Sequence, residues 1–326
     1  MNTKMNIPAV ALGTWSWGVG AVGGNEVFGN SLNEAQLKPV FVAGLKDGLN
    51  LWDTAAVYGM GASETILGDF VKEQPRKDVV VSTKFTPQIA DGASPDPMGA
   101  MLASSLERFG TDYIDLYWIH NPADVEKWTP GLIPLLQSGR VKHVGVSNHN
   151  LEQIKRAESI LATEGFGISA VQNHYSLLYR ASEDAGILEY CREKGVAFFA
   201  YMVLEQGALS GKYDTRNPLP EGSQRAATYN PLLPKIEELI TAMKKLGDEH
   251  AATVPQIAIA WAIAKGTVPL IGVTRPAHVE DAAKAAKVTL RPDQMAELER
   301  IAADAGVDTR GAWESPMAGG KPWYEK

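Results

Sequence analysis

Short apolar runs and amphipathic stretches alternate along this chain. The runs AVALG (9–13), NLWD (50–53), VVVSTK (79–84), IDLYWIH (114–120), HVGVS (143–147), ISAVQN (168–173), VAFFAY (196–201) and TVPLIG (267–272) have strand length. Their β-branched and aromatic content predicts eight buried strands. Between them, helical patterns occupy 63–73, 97–109, 131–138, 150–162, 183–194, 231–249, 254–265, 276–287 and 292–304, with Pro255 and Pro276 suited to first turns. An earlier helix, in SLNEAQLKPVFVAGLKDG, sets Leu37, Val40, Phe41, Gly44 and Leu45 on one face, and Ser31 with Glu34 predicts its capping box. Strand–helix alternation implies parallel strands joined by crossovers. Eight such units predict an α/β fold, a closed (β/α)8 TIM barrel rather than an open sheet, with extra helices and a long loop after the seventh strand.

No low-complexity linker interrupts the pattern, so residues 1–326 are read as one domain. Segment 202–230, rich in Gly, Pro and polar residues, is the main irregular insertion, and such loops are often functional. The tail from 311, GAWESPMAGGKPWYEK, carries two tryptophans. It either folds back over the barrel or is a mobile end.

Composition narrows the function. The chain is 45% hydrophobic with net charge −7, and it lacks clustered Lys and Arg, which argues against a nucleic-acid partner. An anionic ligand therefore needs a local basic pocket. No apolar run is long enough to span a membrane, and the N-terminus does not read as a signal peptide. One cysteine, Cys191, excludes an internal disulfide and fits a reducing compartment, so a cytoplasmic location is expected.

Barrel chemistry lies at the C-terminal ends of the strands, where the loops converge. Six successive strands end in polar residues: Asp53, Lys84, His120, Ser147 with Asn148, Gln172 with Asn173, and Tyr201. Singly, each has a plain structural explanation as a loop cap, a snorkelling lysine, a satisfied core histidine or a turn residue. Together at one end of otherwise apolar strands, they are hard to explain by packing. Tyr58, five residues beyond Asp53, can bend back over the same mouth. A phenol is a poor acid or base at neutral pH, but a neighbouring Lys84 cation is expected to lower its pKa. Asp53 can hold Lys84, and His120 can hydrogen-bond a reacting oxygen. This set can move a proton to a carbonyl oxygen.

The segment WSWGVGAVGGNE contains the G-x-G-x-x-G pattern at 18–23. A dinucleotide fingerprint needs a helix opening directly from the glycines and an acidic residue about 20 positions on. Here a helix is expected only from about residue 32, and Asp53 lies too far along. The glycines are read as a flexible loop over the mouth.

At these positions the chain resembles the aldo-keto reductase family. The matching words are LGTWSWG (12–18), NLWDTAAVYG (50–59), GASETILG (61–68), VVVSTKF (79–85), DYIDLYWIHNP (112–122), VKHVGVSNH (141–149), AVQNHYSLL (170–178), GALSGKY (207–213) and PQIAIAWAI (255–263). The resemblance implies an extended NADP(H) cofactor and a tetrad in which Tyr58 is the general acid, Lys84 tunes it, Asp53 holds Lys84 and His120 orients the carbonyl. It also implies that Ser147, Asn148 and Gln172 hold the carboxamide, with Asp53 close by. Tyr201 would stack on the nicotinamide, and Gly13, Thr14 and Trp15 would border it. Lys212 would reach the phosphates, Thr274 and Arg275 the 2′-phosphate, and Asp281 the adenine. Met202, Leu204, Gln206, Gly272 and His278 complete the implied cofactor surface.

The chain departs from the family pattern in two places. Tyr201-Met202-Val203-Leu204 replaces the common Tyr-Ser-Pro-Leu, and His278 and Ala282 stand where relatives often carry Gln and Asn. Both bear on cofactor affinity and on the preference for NADPH. Trp15, Trp17, Trp118 and Tyr175 are candidates for an apolar substrate pocket, although any can equally be barrel packing, and Trp118, alternating with His120 on its strand, is expected to point inward as core. GVSNH lacks the nucleophile-elbow spacing, the histidines lack the H-E-x-x-H spacing and a lone cysteine builds no thiolate site, so no metal is expected. The expected partner is a small carbonyl or alcohol substrate, and oligomeric state stays open. A cofactor-bound regulatory subunit, as in channel-associated members of the family, is the rival reading. A barrel isomerase or lyase using Tyr58 and Lys84 is another.

Overall fold

The computed structural model describes residues 5–314, 316 and 317. Eight strands form the barrel: β1 (Ala11–Gly13), β2 (Leu51–Asp53), β3 (Val80–Phe85), β4 (Ile114–Ile119), β5 (Val141–Ser147), β6 (Ala170–His174), β7 (Ala197–Tyr201) and β8 (Val268–Gly272). They pair in parallel in chain order, and β8 returns to β1, closing the sheet. All eight sit where the apolar runs placed them, shifted by a residue or two at the ends.

The barrel interior is filled by Ala11, Leu51, Leu116, Trp118, Ala170 and Phe199, with Met5 and Ile7 packed against them. A second, larger apolar layer lies between the strands and the surrounding helices. This double burial is why the strands read as continuous apolar runs rather than as alternating ones. Gly145 on β5 makes room for the interior: a Cβ there would meet the Trp118 ring at 2.4 Å.

Local signals failed at three points. The helix Glu34–Lys46 is capped by Asn33 and Gln36, each side chain reaching the other's backbone N–H at 3.1 Å, not by Ser31 and Glu34. The chain stays extended until Asn33, so the box forms two residues later than expected. The single helix expected over 183–194 is two, Ala181–Asp184 and Ile187–Lys194, because Gly186 between them takes a left-handed φ of 74°. A one-turn helix, Gly24–Val27, does open directly after Gly23.

That short helix does not restore a phosphate site. The carboxamide of Asn25 accepts from Gly20 N–H and the carboxylate of Glu26 accepts from Val22 N–H, both at 2.9 Å. The glycine segment spends its donors on its own side chains, which ties the loop down.

Candidate active site

The loops at the C-terminal ends of the strands enclose a cavity of about 1110 Å³. Asp53 and Lys84, ending β2 and near the end of β3, form an ion pair at its floor, both buried. Lys84 also donates to the Thr54 carbonyl at 2.7 Å. The second carboxylate oxygen of Asp53 accepts from Ser82 at 2.7 Å and from the Gln172 amide at 3.2 Å. These donors satisfy a buried charge pair that would otherwise be costly.

Tyr58 begins a tight turn, Tyr58–Gly61, whose Gly59 and Met60 take positive φ. The turn folds the phenol back over the mouth. Lys84 Nζ lies 5.2 Å from the Tyr58 ring centroid, and the His120 ring lies edge-on to it at 5.9 Å. Tyr58 and His120 border the cavity, while Lys84 sits behind them.

The electrostatics correct one expectation. Lys84 does not pull the Tyr58 phenol down; burial and the Asp53 carboxylate push it well above its ordinary value of 10.0. The main cause is burial of the phenol, and the Asp53 carboxylate adds to it. Burial also lowers Lys84, against the pull of Asp53. Tyr58 is thus held protonated, which suits an acid. His120 is depressed well below 6.5 by burial and then by Lys84, so its imidazole is neutral. Its Nδ1 lies 2.9 Å from the Thr86 hydroxyl. When Thr86 donates there, Nε2 carries the proton and becomes the donor available to a substrate oxygen.

Every residue named above for the cofactor borders this one cavity. At its inner end stand Ser147, Asn148, Gln172 and Tyr201, with Gly13, Thr14, Trp15 and Asp53 beside them. Asn148, at φ 63°, accepts from the Tyr201 hydroxyl at 2.5 Å and donates to the His120 carbonyl at 2.9 Å. It therefore braces the wall. Met202, Leu204, Gln206 and Lys212 follow β7, and Gly272, Thr274, Arg275, His278 and Asp281 follow β8.

The outer end is cationic in an acidic protein. Arg275 precedes the helix Pro276–Ala285, and its guanidinium lies 2.8 Å from His278 Nε2. Burial and Arg275 lower the His278 pKa, so His278 is a neutral acceptor that braces Arg275. Ala282 is buried on the inner side of that helix and offers the cavity no polar group. Asp281 faces the cavity but already accepts from Gln256 at 2.7 Å.

Of the four aromatic candidates for the substrate pocket, Trp15 alone borders the cavity. Trp17 packs against Trp52 and Phe70 and donates to the Val273 carbonyl at 2.7 Å. Trp118 points into the barrel, edge-on to Phe199, and donates to Ser82 at 2.6 Å. Tyr175 stacks on Trp261 and donates to Glu183 at 2.7 Å. Each side chain is fully buried with its polar atom bonded within the protein. Similarly, Asn173 alternates with Gln172 and points away, donating to the His149 carbonyl at 2.9 Å.

Several wall residues escaped sequence reasoning. Thr86 directly follows β3 and belonged with the other strand ends. Phe28, Asn121 and Trp313 reach the cavity from loops, Gln88 from the 3-10 turn Pro87–Ile89 and Arg225 from the short helix Gln224–Tyr229, segments too short for a period to mark them. Arg225 Nε is buried with no hydrogen-bond partner among the described residues. An orphaned guanidinium N–H, with Lys212 and Arg275 nearby in the same wall, fits an anionic ligand group. Among the described residues no group of His, Cys, Asp and Glu side chains could hold a metal ion, and no helix is long and apolar enough to cross a membrane.

Comparison with known proteins agrees with this geometry. Residues 9–303 match the Aldo/keto reductase family. The chain is 33% identical to a chloroplastic pyridoxal reductase of Arabidopsis thaliana, over 92% of this chain and 85% of that protein. It is 29% identical to an NADH-specific methylglyoxal reductase of Escherichia coli, over 93% and 97%. Among solved structures, a glycerol dehydrogenase of Gluconobacter oxydans superposes with a TM-score of 0.79 at 25% identity, covering 93% of each chain. With a closed eight-stranded barrel and a family match across nearly its whole length, the chain belongs to the aldo/keto reductase family.

Proposed function

We propose that the protein is an NADPH-dependent reductase of aldehydes and some ketones, with Tyr58 as general acid. The observation that carries the reading is a phenol kept protonated at the cavity mouth, beside a buried lysine–carboxylate pair and a neutral histidine. A nicotinamide cofactor, when bound, would supply the hydride. Tyr58 supplies the proton to the carbonyl oxygen, so one hydride and one proton convert carbonyl to alcohol. The alkoxide that forms is a stronger base than a phenolate, so a high phenol pKa does not prevent the transfer. Lys84, held in place by Asp53, keeps its Nζ 5.2 Å from the Tyr58 ring centroid, beside the phenolate left behind. His120, through Nε2–H, orients the carbonyl oxygen. In the alcohol-oxidising direction the same groups act in reverse.

At the inner end, Ser147, Asn148 and Gln172 would hold the carboxamide and Tyr201 would support the ring. Lys212, Arg225 and Arg275 would take the phosphates, with Thr274 and Arg275 on the 2′-phosphate. The carbonyl pocket is walled by Trp15, Phe28 and Trp313, which favours apolar and aromatic substrates. A single buried cysteine suits a reducing compartment, and the cytoplasm is the proposed location. The test is consumption of NADPH and of NADH by the purified protein across aldehydes and ketones, beside Tyr58→Phe. Turnover that the variant loses supports the reading; cofactor binding without turnover on any carbonyl sinks it.

A further inference from the structure

The tetrad leaves unused a second buried charge cluster, behind Tyr201. His174, at the end of β6, is fully buried between two carboxylates: Nε2 lies 2.9 Å from Glu205 and Nδ1 2.9 Å from Glu314. Glu205 also accepts from Ser176, from Thr309 at 3.0 Å and from Tyr229 at 2.7 Å. Three of these four donors converge on Glu205 Oε1, and Tyr229 alone reaches Oε2. Burial opposes charge on His174, but Glu314 and Glu205 overcome it and hold the imidazole up at about 10.

The cluster joins segments that are distant in the chain. Glu205 lies in the loop after β7, where Met202, Glu205 and Gln206 all take positive φ, a conformation costly for side-chain-bearing residues. Leu204 and Gln206, on either side of Glu205, border the cavity. Thr309 and Glu314 belong to the C-terminal segment, and Glu314 also accepts from Gly311 N–H at 3.1 Å. The next side chain, Trp313, reaches the cavity and meets Trp15 edge-on at 6.0 Å. Trp15 in turn stacks on Tyr58 at 5.7 Å.

We propose that His174, Glu205 and Glu314 are positioning residues that clamp the C-terminal segment to the loop after β7, holding Trp313 against Trp15 as the outer wall that selects bulky aromatic carbonyls over small ones. The proposal rests on the reductase reading for its substrate, but not for the clamp. The buried ion triad is a two-sided anchor: without the Glu314 carboxylate the segment loses its ionic tie and keeps the Thr309 hydroxyl on Glu205 and the Asn173 contact with Met317 Sδ at 3.7 Å. The resulting opening is local, because none of Asp53, Tyr58, Lys84 and His120 hydrogen-bonds Glu314, whose barrel partner is His174 at the end of β6.

The test uses Glu314→Ala, Glu314→Gln and Trp313→Ala in the full chain. Hydrogen exchange of amides 307–314 reports the clamp without any substrate. The ratio of kcat/KM for a bulky aromatic aldehyde to that for a small aliphatic one reports the wall. Glu314→Ala should raise exchange in that segment by roughly tenfold or more. It should lower the bulky-to-small ratio by about tenfold and leave kcat on the small aldehyde within about twofold. Glu314→Gln, which keeps an acceptor for His174, should restore part of both. Trp313→Ala should lower the ratio without loosening the segment. Unchanged exchange in Glu314→Ala overturns the clamp. Raised exchange with an unchanged or increased ratio overturns the wall. If the wild type reduces neither aldehyde, the reductase reading and the wall fall together, and the exchange result alone decides the clamp.

Discussion

The indole of Trp15 lies over the phenol of Tyr58, with ring centroids 5.7 Å apart and planes 23° from parallel. One residue comes from the loop after β1 and the other from the loop after β2. The stack fixes the phenol without occupying its hydroxyl, which stays free for a substrate. Tyr58→Phe should therefore keep the stack and the cofactor affinity while kcat falls by roughly 10² to 10⁴. Cofactor titration beside steady-state kinetics checks both halves; a large rise in cofactor Kd would mean that the phenol serves binding instead.

Neither acid nor orienting group should titrate near neutrality. His120 is depressed well below 6.5, and Tyr58 is raised well above 10.0. A pH profile of kcat/KM for reduction should run flat from about pH 6 to 8. An inflection near 6.5 that disappears in His120→Gln would contradict the neutral assignment.

Asp53 and Lys84 are a buried pair whose single removal is costlier than joint removal. Asp53→Ala strands the Lys84 ammonium and should destabilise the fold by about 3–5 kcal/mol. Asp53→Asn combined with Lys84→Met should recover much of that loss while remaining inactive. Urea unfolding of the single and double variants measures the coupling.

Arg275, braced by His278, should decide between the two nicotinamide cofactors. Arg275→Met should raise KM for NADPH about tenfold and leave KM for NADH nearly unchanged. Equal losses for both would place Arg275 on a shared phosphate.

The His174 triad should also mark the stability curve. Its folded pKa, about 10, lies above the ordinary 6.5, so its contribution is complete below about pH 6.5 and is lost as pH rises through 10. The slope should approach 1.4 kcal/mol per pH unit, roughly, in that window. His149, lowered to about 4 by burial, acts on the other side: its contribution is lost as pH falls from 6.5 through 4. Urea midpoints from pH 7 to 9.5 should fall in the wild type and fall less in His174→Gln.

The barrel and the strand-end residues were legible because both follow from short-range rules. Strands buried on two faces must be apolar throughout, so a polar residue at the end of one is conspicuous, and Asp53, Lys84, His120, Gln172 and Tyr201 stood out in this way. Helix caps and breaks were less legible: Asn33 rather than Ser31 begins its helix, and Gly186 splits another, because backbone angles decide between neighbouring candidates.

What only the tertiary structure decided is which way side chains face and what they share. Trp17 and Tyr175 are aromatic with a polar tip, like Trp15, yet their polar atoms are spent on Val273 and Glu183 inside the protein, whereas the inward face of Trp118 followed from its alternation with His120. Lys84 was expected to acidify Tyr58, but burial, with the Asp53 carboxylate adding to it, raises the phenol instead. His174, Glu205 and Glu314 lie far apart in the chain, and nothing in their local sequence marks them as a triad. A period of two or 3.6 residues determines burial along one element. The pairing of charges between elements depends on how the closed barrel brings its loops together.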